Sequence, residues 1–314
     1  MGYSSPDTVL ALSRTRSTVG WSARRQRHLL YGLLPALAVL STITVLPALY
    51  LVATSFTPLD LTRPELTTWN FSRPLGNYVD LLSDQRFLNS LRVQGLLSVF
   101  TVGLQLLAGL AVAMLLNSNS RFFEAVRIAF LVPMVLPPIV VAIIWKVLYT
   151  PDISPIYWLL RAIGIEADSM ITTPALALWA IIIADVWEWF PFVMLMTLAA
   201  LQMMPEEPLE AAKIDGAGAR QLFWHVILPL LRPTLVVAAL FRLIDSIKAF
   251  PLIYILTNGG PGNATEVTNY YAFVQAFNFS YLGYSSAITV IMVAAVFALS
   301  WIVMRLIGTE VEFE

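Results

Sequence analysis

Asp185, Glu188, Trp189 and Phe192 stand at positions i, i+3, i+4 and i+7 of one apolar stretch, a spacing that puts all four on one helical face. Two carboxylates and two aromatic rings suit a polyhydroxylated ligand. Carboxylates accept hydrogen bonds from hydroxyls, and rings stack on the apolar C–H faces of a sugar. The same face would equally serve as an ion-pair surface packed against a partner subunit, and the spacing leaves both readings open. Further on, Arg242, Asp245 and Lys248 recur at steps of three beside Ser246 and Ala249, so both cations can reach Asp245. A structural triad is the expected role of Arg242. Alternatively, Arg242 and Lys248 serve an anionic headgroup. Lys146, near the end of its stretch, is expected to snorkel. With Arg305 set apart near the last exit, these six are the charged residues of the apolar stretches, three positive and three negative. An unpaired charge at mid-membrane is costly, so such groups normally face a cavity or a partner.

Enzymatic chemistry finds no support. There is no G-x4-G-K-[ST] phosphate loop, no H-E-x-x-H, no G-x-S-x-G and no cysteine, and the only histidines are His28 and His225. Asp185 and Glu188 project from one helix rather than flanking a cleft, which argues against glycoside hydrolysis. No catalytic residue, no metal site and no cofactor in this chain are expected.

The surrounding elements must be membrane helices. Of 314 residues, 58% are hydrophobic and 12% charged, whereas a soluble domain is roughly half apolar and about a quarter charged. The net charge of −1 gives no reason to expect a nucleic-acid partner. A spanning helix needs about 20 apolar residues, and six stretches qualify: 29–56, 93–116, 128–149, 174–203, 233–257 and 285–308. None alternates as barrel strands do. The expected class is therefore an all-α polytopic membrane protein with six transmembrane helices in a lipid bilayer. Basic residues gather on one side: Arg14, Arg16, Arg24, Arg25, Arg27, Arg121, Arg127, Lys213, Arg220, Arg232 and Arg305. The other side has Arg63, Arg73, Arg86 and Arg161, with Arg92 at a boundary. The positive-inside rule then puts both termini in the cytoplasm. The connector 57–90 is expected to form a small outer cap, and IYWLLRAIGI within 151–173 an interfacial amphipathic helix.

The connector PEEPLEAAKIDGAGARQLFWHVILPLLRP, residues 205–233, reads as helix, turn, helix. Pro208 fits a first helical turn and Gly216 a left-handed C-terminal position. A second short helix is expected from about Ala219 to Ile227, ended by Pro229 and Pro233. Leu209, Ala212, Leu222, Phe223 and Val226 offer an apolar surface beside Glu210, Lys213 and Asp215. Physics alone weighs an interfacial helix and a docking helix equally.

This segment resembles the EAA loop of ABC importer permeases, E-A-A-x3-G-x9-I-x-L-P. It matches at Glu210, Ala211, Ala212, Gly216, Leu228 and Pro229, with Asp215 in the flanking D-G-A and Val226 in the Ile place. PLGNYVDLLSDQRFLNSL at 74–91 and ILTNGGPGNATE at 255–266 are similar to the binding-protein-dependent sugar permeases, the latter to the maltose-permease F-type subunit. Arg92-Val93 and PDISP depart from the family's outer loops. The resemblance implies a type I ABC importer permease fold in a bacterial inner membrane. It also implies a coupling role for the EAA residues, and four kinds of partner: a second, G-type permease, two ATPase subunits holding ATP and Mg, and an extracytoplasmic solute-binding protein. Carried over position by position, it places substrate contacts at Asp185, Glu188, Trp189 and Phe192, at Asp245, Ser246 and Ala249, and at Met134 and Pro138, with Lys248 beside them.

The expected organisation is a cytoplasmic tail 1–28, a first helix and outer loop 29–92, a five-helix core 93–308 containing the coupling loop 205–233, and a tail 309–314. The expected function is alternating-access import of a sugar, polyol, glycoside, sugar acid or sulfonate. The alternatives are a secondary transporter with Asp185 or Asp245 as proton relay, or a structural scaffold.

Overall fold

The computed structural model describes residues 23–66, 69–118 and 120–308. The terminal tails expected at 1–28 and 309–314 fall largely outside them, as do Arg14 and Arg16. The chain divides into two compact units, residues 1–51 and 52–314. The first contains most of helix α1 (Ala23–Ser55), whose residues 31–50 are all exposed. Among the described residues there is no strand.

In the second unit, α2 (Gly76–Ser83) leads into α3 (Gln85–Leu116). The latter begins eight residues before the apolar run at Val93, because Asp84 caps it. The carboxylate accepts the N–H groups of Arg86 (2.9 Å) and Phe87 (3.3 Å). Its other oxygen takes the hydroxyls of Tyr271 and Tyr284. Burial pushes this carboxyl, which precedes the spanning segment, upward. The two hydroxyls and two N–H groups outweigh burial and hold it below the ordinary 3.8. Arg86 grips the buried Glu266 with two bonds of 2.7 Å, tying the start of α3 to the loop beyond the GGP segment.

Among the described residues, five helices are long and apolar enough to cross a membrane: 31–55, α3, α7 (Pro174–Gln202), 219–247 and α13 (Leu282–Gly308). A bent pair brings the number to six when it is counted as one span. The stretch expected as one span, 128–149, is instead α4 (Arg121–Val135) and α5 (Pro138–Leu148) at 97° to each other. Leu136 precedes Pro137, and Pro137 precedes Pro138. A following proline ring bars the helical conformation, and both residues are extended, with ψ 141° and 136°. Short α6 (Pro155–Ala162), capped by Ser154, occupies the expected amphipathic piece.

The expected fifth span also needs correction. Pro229 and Pro233 do not end a short helix. The chain stays helical from α9 (Ala219–Leu222) through a wider π turn (Phe223–Ile227) into α10 (Leu228–Ile247). The π turn is the physical reason. Leu228 N–H reaches back to Phe223 O, and the widened turn gives room for Pro229, which lacks an N–H and crowds the preceding turn. The true break comes later, at 248–250, before α11 (Pro251–Leu256). Phe250 precedes Pro251 and leaves the helical region at φ −142°. Neighbours satisfy carbonyls at this break. Gln94 Nε2 donates to Ser246 O at 3.0 Å, and Asn269 Nδ2 donates to Lys248 O at 3.1 Å. Asn269 belongs to α12 (Thr268–Phe273), which runs into a second π turn (Val274–Asn278) before α13.

Helices α3 and α7 pack along each other at the centre of this unit, and α10 crosses both. Their approach depends on Gly109. A Cβ there would lie 2.6 Å from Val193 Cβ and 2.9 Å from Met194 N.

Candidate functional site

Helix α7 buries Asp185 and Glu188 on the face toward α3 and α10. Arg242 on α10, 2% exposed, is the centre of a buried network. Its Nε donates to Gln105 Oε1 at 2.9 Å, Nη1 donates to Asp245 Oδ2 at 3.2 Å, and Nη2 lies 3.7 Å from Asp185 Oδ2. The guanidinium also sits 4.5 Å from the Trp189 ring centroid. Gln105 closes the circuit, its Nε2 donating to Asp185 Oδ2 at 2.8 Å and to Asp185 O at 3.1 Å. Lys248 Nζ meets Asp245 Oδ1 at 3.2 Å. Both cations thus reach Asp245, as the spacing suggested. Glu188 is 1% exposed, and its Oε1 has no hydrogen-bond partner.

Beside this network lies a cavity of about 280 Å³, lined by Asp185, Glu188, Trp189, Arg242, Asp245 and Lys248, with Pro138 and residues 249–252. The sequence-predicted residues Pro138, Asp185, Glu188, Trp189, Asp245, Lys248 and Ala249 therefore meet in one place. Met134, Phe192 and Ser246 are not among the lining. Phe192 turns to Phe241, with ring centroids 6.3 Å apart. Ser246 is buried and donates to Ser98 Oγ at 2.8 Å. Met134 lies on α4, before the bend that carries Pro138 to the cavity.

Arg242, expected either as a member of a structural triad or as a partner for an anionic headgroup, lines the cavity. One participant escaped the sequence. Gln105 was not singled out at all. The available signal was a polar stripe on the second span, Gln94, Ser98, Thr101 and Gln105 at i, i+4, i+7 and i+11. All four are buried.

The elbow between α7 and α10 is the second feature. Helix α8 (Glu207–Ile214) has Pro208 in its first turn. It closes with both bonds of a Schellman motif: Ala217 N–H to Ala212 O at 2.9 Å and Gly216 N–H to Lys213 O at 3.1 Å. Gly216 takes φ +81°, which a side chain would resist. Gly218 N–H donates to Gln221 Oε1 at 2.9 Å, starting the next helix. Glu210, Ala211, Asp215, Gly216 and Pro229 are exposed, and Ala212 and Leu228 half-buried. Ile214, at 86% exposed, stands out from the elbow.

A bundle of apolar helices with bent and broken spans, around a cavity lined by cations and carboxyl groups, marks a multi-pass membrane transport protein. The chain belongs to the binding-protein-dependent transport system inner membrane components, whose family profile matches residues 105–311. It is a transport permease and not an enzyme, a membrane part of a system that relies on a separate binding protein. MalF, the permease of a trehalose/maltose transport system in Thermococcus litoralis, is 38% identical over 217 residues, covering 69% of this chain and 73% of MalF. SmoG, a sulfoquinovosyl glycerol permease of Agrobacterium fabrum, is 33% identical over 279 residues, covering 88% and 89%. The fold is also that of a chain in a crystal structure of a bacterial ABC transporter that imports alginate, with TM-score 0.79 at 18% identity, covering 93% of this chain and 99% of that one.

Proposed function

We propose that this chain is the permease subunit of an ABC importer for a sugar or sugar-like solute, with its solute site in the cavity between α7 and α10. It pairs with a second, G-type permease. Two ATPase subunits hold ATP and Mg and dock on the α8 elbow, and an extracytoplasmic binding protein delivers the solute. Both termini face the cytoplasm, as the basic residues favour. Closure of the ATPases pushes the elbows, and the paired permeases rock between outward and inward openings.

The observation that supports this reading most is the elbow. An isolated amphipathic helix that merely lies on a membrane would have no need to be braced by a Schellman closure and a left-handed glycine while exposing Ile214 and Glu210. A rigid, protruding helix with an apolar tip and charges beside it fits a groove on a partner. The proton-relay alternative draws no support from the cavity, because Asp185 and Asp245 are both engaged by Arg242. Solute chemistry follows the relatives, whose names state trehalose/maltose and sulfoquinovosyl glycerol, and the cavity's mixture of carboxylates and a tryptophan.

The test is uptake by the assembled importer in proteoliposomes. Glu210→Ala and Gly216→Pro should abolish ATP-dependent uptake while membrane insertion persists, and uptake should be insensitive to an uncoupler. Normal uptake by both variants would contradict the coupling role.

A further inference from the structure

The charges around the cavity are not equally available to a ligand, and their pairing bears on the kind of solute it accepts. Arg242 already spends its charge on neighbours within the protein. Its Nε is taken by Gln105, Nη1 by Asp245 and Nη2 faces Asp185, while Trp189 covers its plane. Lys248 is the more exposed cation, and it already contacts Asp245 at 3.2 Å. Against these two cations stand three carboxyl groups, Asp185, Glu188 and Asp245. Asp185 and Asp245 are engaged by Arg242, Gln105 and Lys248. Glu188 is not: it is 1% exposed, lines the cavity, and carries the unpartnered Oε1. A buried oxygen without a donor is costly unless something supplies one.

Resting on the reading of this cavity as the solute site, we propose that it selects a solute without negative charge, gripped by a hydroxyl that donates to Glu188. If Glu188 is ionised, the cavity has one carboxylate in excess and repels an acid. If Glu188 holds its proton, the two remaining carboxylates still balance the two cations and leave none for an acid. The unpartnered oxygen accepts a hydroxyl donor when Glu188 is ionised, and a neutral sugar's hydroxyl can serve as donor or as acceptor when Glu188 holds its proton. Lys248, a threefold donor, keeps N–H capacity for a second hydroxyl oxygen. Trp189 and Phe250, which also line the cavity, offer apolar surface to a ring. Sugar acids and sulfonates, which the sequence left open, are excluded by this arrangement. The permease thereby differs in ligand charge from an importer of an acidic polysaccharide that shares its fold.

The test uses two glycosides that differ only at C6, methyl glucoside and methyl glucuronide, with the assembled importer in nanodiscs. Binding is read by saturation-transfer NMR, which registers weak ligands without a known physiological solute. Methyl glucoside should bind and methyl glucuronide should not. Glu188→Ala should weaken glucoside binding about tenfold, the weight of one charge-assisted hydrogen bond. Glu188→Gln, which keeps an acceptor and the volume, should retain the glucoside, and this variant serves where the alanine chain fails to assemble. Glucuronide binding equal to or stronger than glucoside overturns the proposal and leaves the permease reading intact. So does glucoside binding unaffected by Glu188→Ala, or glucoside binding lost in an assembled Glu188→Gln complex. Binding of neither glycoside to the wild-type complex overturns both the proposal and the sugar assignment.

Discussion

At the scale of the residue, the cavity is a problem of where one buried guanidinium finds its partners. Arg242 is held by Asp185, Asp245 and an amide, Gln105, that also holds Asp185. Gln105→Leu would leave both charged groups short of a hydrogen bond in the interior, a loss of about 1–3 kcal/mol or more. The thermal midpoint of the purified complex should fall accordingly, while Gln105→Glu, which keeps an acceptor for Arg242 but faces Asp185 with a like charge, should not restore it. A second group sits at the capped end of α3. Folding holds the Asp84 carboxyl below its ordinary 3.8, so folding favours the ionised form. Its contribution is complete above 3.8 and fades as pH falls through the lower folded value. Acid unfolding of the wild type should therefore contain a component below pH 3.8 that Asp84→Asn lacks. An identical acid profile in the variant would contradict this. The cavity was partly legible in the sequence. Charged residues in an apolar run announce themselves, and helical spacing put Asp185, Glu188 and Trp189 on one face. Gln105 was hidden because an uncharged amide among leucines breaks no hydropathy pattern. Phe192 was over-read because its place at i+7 cannot tell a cavity ring from one packed on Phe241.

At the scale of the element, the caps and turns were readable and the bends were not. Pro208, Gly216 and the run from Pro174 to Gln202 follow from local preferences, and the structure has them. The 97° bend between α4 and α5 depends on two consecutive residues each preceding a proline. Hydropathy averages over such a feature, so the stretch looked like one span. The continuity of α10 through Pro229 depends on a π turn, which has no hydropathy signature either. These irregularities matter because the break at 248–250 is what brings Lys248, Ala249 and Phe250 to the cavity. The α3–α7 crossing supplies the element-scale prediction. Gly109→Ala would set a Cβ 2.6 Å from Val193, forcing the helices apart at about 1–3 kcal/mol. Gly95→Ala, on the same helix with nothing within 4 Å, should be neutral or stabilise by up to roughly 1 kcal/mol. Thermal unfolding of the two variants side by side decides it, and equal losses would show that the close approach is not what Gly109 provides.

At the scale of the whole molecule, one continuous helical run joins a protruding elbow to a polar cavity. From Ala219 through the π turn to Ile247, the chain leads from the Schellman-closed turn to Arg242 and Asp245. Under the proposed coupling, a push on the elbow travels along this run to the cavity wall. The chain has no cysteine, so a single Ile214→Cys variant reports on the elbow alone. Its accessibility to a water-soluble maleimide, and its crosslinking to the ATPase subunit, should be compared before and after that subunit is added to the membrane complex. Residue 214 should react readily without the ATPase, become shielded with it, and yield a crosslink whose efficiency changes when ATP is bound. Labelling that is the same in both preparations, with no crosslink, would contradict it.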